Sequence, residues 1–288
     1  MNGQGIFVWE LSHISSPLSS HLRSFPNMKW AAVKAGDGVT SWSQFNPSLV
    51  SELKRASYTP VAWTYVYGLD PVSEAQVALN AVHQGAEALV IDAEVEYAGY
   101  NTRNQRVGNP RSAQASIFME TLRHSLGGNF PIFLTSFATM GAYPAFPWEN
   151  FLHSATGVMP QCYSAAYTPG TLMGQVQNSR QTFSSLAKEF WPVAPAWGSV
   201  RMSELDQFIQ EEEKADPGYS FWDLDSLTEA AYNALRAPLP KPKPPTLEAR
   251  VNTLDHDVSI LADLTLRTQK ASLGPEEIQE LVNMGAKP

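Results

Sequence analysis

Short apolar, aromatic-rich runs recur from residue 5 to about 236, and each is followed by a segment whose apolar residues fall at helical spacing. The runs at 5–11, 30–35, 60–67, 88–95, 131–137, 157–163, 193–197 and 219–224 predict strands, being brief and bounded by turn residues. The segments 17–23, 47–56, 73–84, 112–126, 148–153, 172–190, 203–215 and 227–236 predict helices. Several starts carry expected signals. Asn46-Pro47 places proline at a first helical position, and Ser73 precedes Glu74. Ser203-Glu-Leu-Asp206 resembles a capping box, with Asp where Glu or Gln is commoner. Strands and helices alternating eight times over ~230 residues have the period of an α/β fold of the (β/α)8, or TIM-barrel, kind. A doubly wound sheet also alternates, but it needs a Gly-rich phosphate loop after its first strand. Gly36-Asp37-Gly38 follows the second strand and is too short to be one.

One stretch breaks the apolar rule. Ala88-Leu-Val-Ile-Asp92-Ala-Glu94-Val-Glu96-Tyr97 drives an apolar run into three carboxylates spaced two residues apart. On a strand, Asp92, Glu94 and Glu96 share one face, while Ile91, Ala93 and Val95 share the other. Like charges on a buried face are costly unless protons or partners relieve them, so the arrangement points to a site rather than to an acidic edge. In a barrel of this kind, catalytic groups sit at the C-terminal strand ends, where these three fall.

The composition changes at residue 237. Ala-Pro-Leu-Pro-Lys-Pro-Lys-Pro-Pro predicts a polyproline-II spacer over 237–246, which divides a barrel over 1–236 from a tail over 247–288. In the tail, Leu247, Val251, Leu254, Val258 and Leu261 repeat as a short heptad seam, and a further short helix is expected over 275–283. The tail is therefore expected either to self-associate, to dock on a partner, or to lie back on the barrel.

Charge and residue usage narrow the chemistry. A formal charge of −8 over 288 residues argues against nucleic acid or an anionic membrane as partner. The start lacks a basic region followed by an apolar one, so no signal peptide is expected. No apolar stretch approaches the ~20 residues of a membrane span. Such a chain is expected to be cytoplasmic at synthesis, and to leave, if it does, by lysis, in a virion or by a specialised export route. The six histidines (His13, His21, His83, His124, His153 and His256) do not pair at ligand spacing, so neither a metal nor another cofactor is expected. Cys162 is the only cysteine; it neighbours Tyr163 and should face away from it as a packed thiol. Aromatic residues crowd the predicted strand ends: Trp9, then Trp63, Tyr65 and Tyr67, then Tyr97 and Tyr100, then Tyr163, Trp197 and Trp222. Flat apolar faces with polar tips suit sugar rings, and paired carboxyls suit glycoside hydrolysis, one protonating the leaving oxygen and the other stabilising or attacking the sugar cation. The polar run over 101–110 is placed to be a substrate lid.

These motifs resemble those of the glycoside hydrolase family 25 lysozymes and, less closely, the family 18 chitinase-like barrels. Gly5-Ile6-Phe7-Val8 is similar to the lysozymes' opening Gly-Ile-Asp-Val/Ile, and Val33-Lys34-Ala35-Gly36-Asp37-Gly38 to their Ile-Lys-Ala-Thr-Glu-Gly, which puts Asp37 among the expected substrate contacts. Pro131-Ile-Phe-Leu-Thr-Ser136 is like their fifth strand. Ile91-Asp92-Ala93-Glu94 matches their Asp-x-Glu, in which the Glu is the general acid. The chitinase-like pattern, Asp-x-Asp-x-Glu, would fall on Asp92, Glu94 and Glu96, with the last as the acid. Met159 with Tyr163, and Trp222, resemble features of the same group. The likeness implies a retaining hydrolase of an N-acetylhexosamine polymer, peptidoglycan first, with Glu94 as acid, Asp92 and Glu96 assisting, and Tyr163, Trp222, Tyr65, Trp9, Tyr97 and Trp197 as substrate contacts. Phe7 departs from the pattern, standing where the lysozymes have an acid. That leaves a second reading, a catalytically inactive barrel serving as a glycan-binding or structural module of a phage virion or similar assembly.

Overall fold

Eight parallel strands close on themselves in the computed structural model, which describes residues 2–215 and 217–239. The strands are β1 (Gly3–Val8), β2 (Met28–Asp37), β3 (Thr40–Ser41), β4 (Thr59–Val66), β5 (Ala88–Ala93), β6 (Ile132–Phe137), β7 (Gly157–Gln161), β8 (Val193–Pro195) and β9 (Gly218–Trp222). β1 pairs with both β2 and β9, which closes the barrel, while β3 is an antiparallel hairpin arm on the end of β2. Around the strands lie α1 (Leu18–Leu22), α2 (Pro47–Arg55), α3 (Pro71–His83), α4 (Ser112–Leu126), α5 (Trp148–Leu152), α6 (Ser164–Tyr167), α7 (Leu172–Phe183), α8 (Met202–Ala215) and α9 (Glu229–Arg236). The (β/α)8 barrel expected from the alternation is therefore the fold. No helix among the described residues is long and apolar enough to cross a membrane.

Period-2 alternation sorts the strand residues into two cores. Ile6, Val8, Ala31, Val33, Leu89, Ile91, Ile132, Leu134, Tyr219 and Phe221 point outward against the helices. Phe7, Trp30, Ala32, Trp63, Val90, Phe133, Met159 and Trp191 fill the barrel itself. Bulky aromatic rings there require small neighbours. A Cβ on Gly5 would lie 2.0 Å from the Trp30 ring, and one on Gly218 2.4 Å from the Trp191 ring. Phe7 belongs to this packing, 5.9 Å from the Trp63 ring and 5.4 Å from that of Trp222.

Helix ends depart from the sequence expectations where tertiary contacts outbid local ones. α3 starts at Pro71 behind the cap Asp70, whose side chain accepts from Ser73 N, so Ser73 is not the cap. α8 begins at Met202, and Glu204 reaches back to the Arg201 amide at 3.4 Å, a role expected of Asp206. α7 stops at Phe183 rather than continuing to 190, because Phe190 is drawn into a bridge with Val158 and the Trp191 amide bonds its carbonyl. α6 has no counterpart in the expected helices. Of the proline-rich stretch, Ala237 accepts a hydrogen bond from Asn27 and Leu239 packs on the core. The rest of the linker, the heptad seam and the final helix lie outside the described residues.

The loop after β4 is fastened from beneath by one acid. Buried Glu74, near the start of α3, accepts from the backbone amides of Tyr67 (3.1 Å), Gly68 (2.9 Å) and Leu69 (3.0 Å). Gly68 has φ +71° and presses on the Tyr97 ring, so no other residue fits there easily. Glu74→Ala leaves three amides without their acceptor, that of Gly68 buried, and is expected to lower stability by roughly 3 kcal/mol, read as a fall in the urea midpoint at unchanged slope.

Candidate active site

β5 carries Ala88, Val90 and Asp92 into the barrel and ends at Ala93. The chain then turns, with Tyr97 N bonding Glu94 O at 3.0 Å and Ala98 N bonding Val95 O at 3.0 Å. This corrects the expectation of one strand face. Asp92 is on the strand, Glu94 lies just past its end and Glu96 reaches in from the turn. The three still converge, lining one cavity of about 270 Å³ with Trp9, Lys34, Asp37, Trp63, Tyr65, Tyr67, Thr102 and Trp222.

Each carboxylate has its own partners. Asp92, buried, accepts from the Trp63 indole N–H at 3.1 Å and from Gln161 Nε2 at 3.2 Å. The same Gln161 nitrogen donates to Glu94 Oε1 at 2.9 Å, so one amide holds two carboxyl groups together. Glu96 accepts from the Tyr65 hydroxyl at 2.9 Å. Burial and the neighbouring Glu94 charge hold Asp92 well above the ordinary carboxylate range, against the opposing pull of Trp63 and Lys34. Glu94 is raised too, first by burial, with Gln161 opposing and the Glu96 charge adding. The pair therefore keeps a proton at pH values where exposed carboxylates have lost theirs.

Beside the acids lies a buried cation. Lys34 Nζ is 2.6 Å from Asp37 Oδ2 and sits 5.3, 4.6 and 5.1 Å from the ring centroids of Trp9, Trp42 and Trp63. Asp37 is in turn held by the Tyr67 hydroxyl at 2.7 Å. Both partners of this ion pair line the cavity, and the surrounding rings exclude water from the ammonium. Trp9 is kept at the rim by Asp225, whose carboxylate accepts from the amides of Trp9 (2.7 Å) and Glu10 (2.9 Å).

Of the residues expected to contact substrate, Trp9, Asp37, Tyr65 and Trp222 line the cavity. Tyr163 packs against the barrel's inner cluster beside the acids, its hydroxyl raised by burial and then by the charges of Asp92 and Glu94. Tyr97 is placed elsewhere: the turn after Ala93 sends it outward, fully buried, with its ring 4.9 Å from that of Phe151. Trp197 follows the end of β8 and packs edge-on to Tyr167 at 5.2 Å, and it is not part of the cavity lining. Cys162 is buried on the outer side of its strand, and burial pushes its thiol up to about 12, so it is a packed group as expected. Gln161, which joins the two acids, was not singled out from the sequence. The signal was there, since it stands two residues beyond Met159 on the inward face of the same strand. In the sequence Lys34 stands out only within the Val33–Gly38 motif. Among the described residues, no group of three or more His, Cys, Asp or Glu side chains is arranged to hold a metal ion.

A scan against models of protein families finds no match, and neither does a search of curated protein sequences. Solved structures do match in fold. A glycoside hydrolase family 18 N-acetylglucosaminidase from Paenibacillus barengoltzii superposes with a TM-score of 0.60 at 11% identity, over 82% of this chain and 99% of that one. A chitinase from Rhizomucor miehei gives 0.59 at 11% identity, over 81% and 98%. One from Ipomoea carnea gives 0.54 at 13%, over 81% and 98%. At these identities the likeness is one of fold.

Two outcomes test the electrostatics without reference to activity. A carboxyl with a raised folded pKa contributes stability below its unfolded pKa and loses it as pH rises through the folded one, so ionising Glu94 burdens the fold at neutral pH. Glu94→Gln keeps the acceptor for Gln161 and is expected to raise Tm at pH 7 by roughly 2–4 °C for each kcal/mol relieved. The gain should vanish below the ordinary carboxylate range. Lys34→Met removes the charge that opposes protonation of Asp92, and should move the acid-pair titration, followed by tryptophan fluorescence, to higher pH.

Proposed function

We propose that the chain is a glycoside hydrolase acting on an N-acetylhexosamine polymer. The observation that carries this reading is the meeting of three carboxylates, two of them held by one Gln161 amide, in a pocket walled by Trp9, Trp63 and Trp222 at the C-terminal mouth of the barrel. Glu94 is assigned as the general acid: burial raises its pKa, Gln161 orients it, and it faces the cavity. Asp92, deeper in the barrel, keeps Glu94 close to its proton; Glu94 gives that proton to the leaving oxygen as the glycosidic bond breaks and takes one back from the water that attacks the sugar carbon. Glu96, steadied by the Tyr65 hydroxyl, stabilises the positive charge that develops on the sugar. The indole faces of Trp9 and Trp222 hold the ring. The chitinases among the matched barrels support the substrate class, and the lysozyme-like motifs make peptidoglycan the first polymer to try.

Purified cell walls and colloidal chitin are to be incubated with the protein and reducing ends followed. Glu94→Gln is expected to lower kcat about 100- to 10,000-fold, the usual contribution of a positioned acid. A larger loss in Glu96→Gln would transfer the acid role to Glu96. Phe7, which fills the barrel where the lysozymes carry an acid, favours a second reading, a glycan-binding module without turnover. Tight glycan binding with no sugar released from any wall or chitin would select it.

A further inference from the structure

Ser136 lies on β6, the strand between β5, from whose end Glu94 projects, and β7, which carries Gln161. The register of β6 with β5 ends where Asp92 meets Thr135. With β7 it runs on, Ser136 opposite Pro160 and Phe137 opposite Gln161. Beyond Asp92 a side chain joins β6 to β5: the Ser136 hydroxyl donates to the Ala93 carbonyl oxygen at 2.6 Å. That oxygen belongs to the planar peptide group linking Ala93 to Glu94, so the bond fixes the plane from which the Glu94 side chain departs. From the other side β4 holds the same residue, Val66 pairing with Ala93. The hydroxyl is out of keeping with its surroundings. A period of two puts Ser136 on the outward face with Ile132 and Leu134, which belong to the apolar layer under the helices, and Ser136 is fully buried. An alkyl group satisfies packing on that face; only a donor satisfies the carbonyl at the end of β5.

We infer that Ser136 is a positioning residue: its hydroxyl fixes where β5 ends and so holds the Glu94 carboxyl on the Gln161 amide, 2.9 Å away. Glu94 and Gln161 come from strands that do not pair with each other. Ser136 is bonded to one of them through its side chain and registered with the other through its backbone. Its loss lets the Ala93–Glu94 peptide turn, and a displacement of about 1 Å at a reacting group can cost ~100-fold in rate. Gln161 also opposes the rise that burial imposes on the Glu94 pKa, so a looser contact leaves the carboxyl protonated to higher pH. The consequence for turnover rests on the acid role proposed above; the consequence for the titration does not.

The test uses the full chain with Ser136→Ala, Ser136→Thr, Gln161→Met and the Ser136→Ala/Gln161→Met pair. Titration of the acids is followed by the fluorescence of the pocket tryptophans, and kcat and KM are measured on cell walls and colloidal chitin. Ser136→Ala is expected to move the titration to higher pH and to lower kcat at least ~10-fold, with KM changed less than about twofold. Ser136→Thr, which keeps the donor, should restore both. In the Gln161→Met background Ser136→Ala should add no further shift, because the contact it acts through is gone. A general loss of stability would appear in Tm and would not depend on Gln161. A titration unchanged by Ser136→Ala, or shifted equally with and without Gln161, overturns the inference, and so does an unchanged kcat in an active protein. A titration that moves as expected in a chain that releases no sugar supports the placing of Glu94 by Ser136 and overturns the hydrolase reading alone.

Discussion

Two carboxyl groups, Asp92 and Glu94, are held by a single amide nitrogen where the barrel opens, and much of the surrounding chain serves to make that burial tolerable. Carboxylates withdrawn from water need a proton, a cation or donors. All three are supplied. The Trp63 indole and Gln161 donate, Lys34 provides a positive field from within its tryptophan enclosure, and burial raises the pKa of both carboxyl groups, which favours their protonated forms. The same features that burden the fold raise the pKa of both carboxyl groups, the direction that a proposed general acid needs.

The supports are hierarchical, and each belongs to a different element. β7 delivers Gln161, β4 delivers Trp63 and Tyr65, and β2 delivers Lys34 with Asp37. The loop that carries Tyr67 is fixed by Glu74 from α3, and Tyr67 in turn holds Asp37. Beside β2, Asp225 ties the end of β1 to the segment after β9, where Trp9 and Trp222 pack with centroids 6.1 Å apart. Placing the site on strand ends rather than long loops suits a pocket whose chemistry depends on small displacements.

Phe7 has a clear structural role. It is one of the rings that pack the barrel's interior, touching Trp30, Trp63 and Trp222. The aromatic filling around it makes that position apolar. The cation beside the acids comes from β2 instead, through Lys34.

The barrel, and the strand at whose end the acids gather, are legible in the order of residues. Strand-length apolar runs alternating with helical spacing admit few other folds, and inward or outward direction follows from a period of two, as Val90 and Asp92 against Leu89 and Ile91 illustrate. The sequence did not determine where strands stop. Backbone bonds after Ala93 turn Tyr97 outward into the helix layer, and the same turn brings Glu96 to the cavity from off the strand. Only the tertiary structure decided that Gln161 and Asp92, far apart in the chain, share a hydrogen bond, that Lys34 is enclosed by Trp9, Trp42 and Trp63, and that Trp197 packs on Tyr167 and is not part of the cavity lining. Local periodicity sets which face a residue occupies; closure of the barrel sets which faces meet.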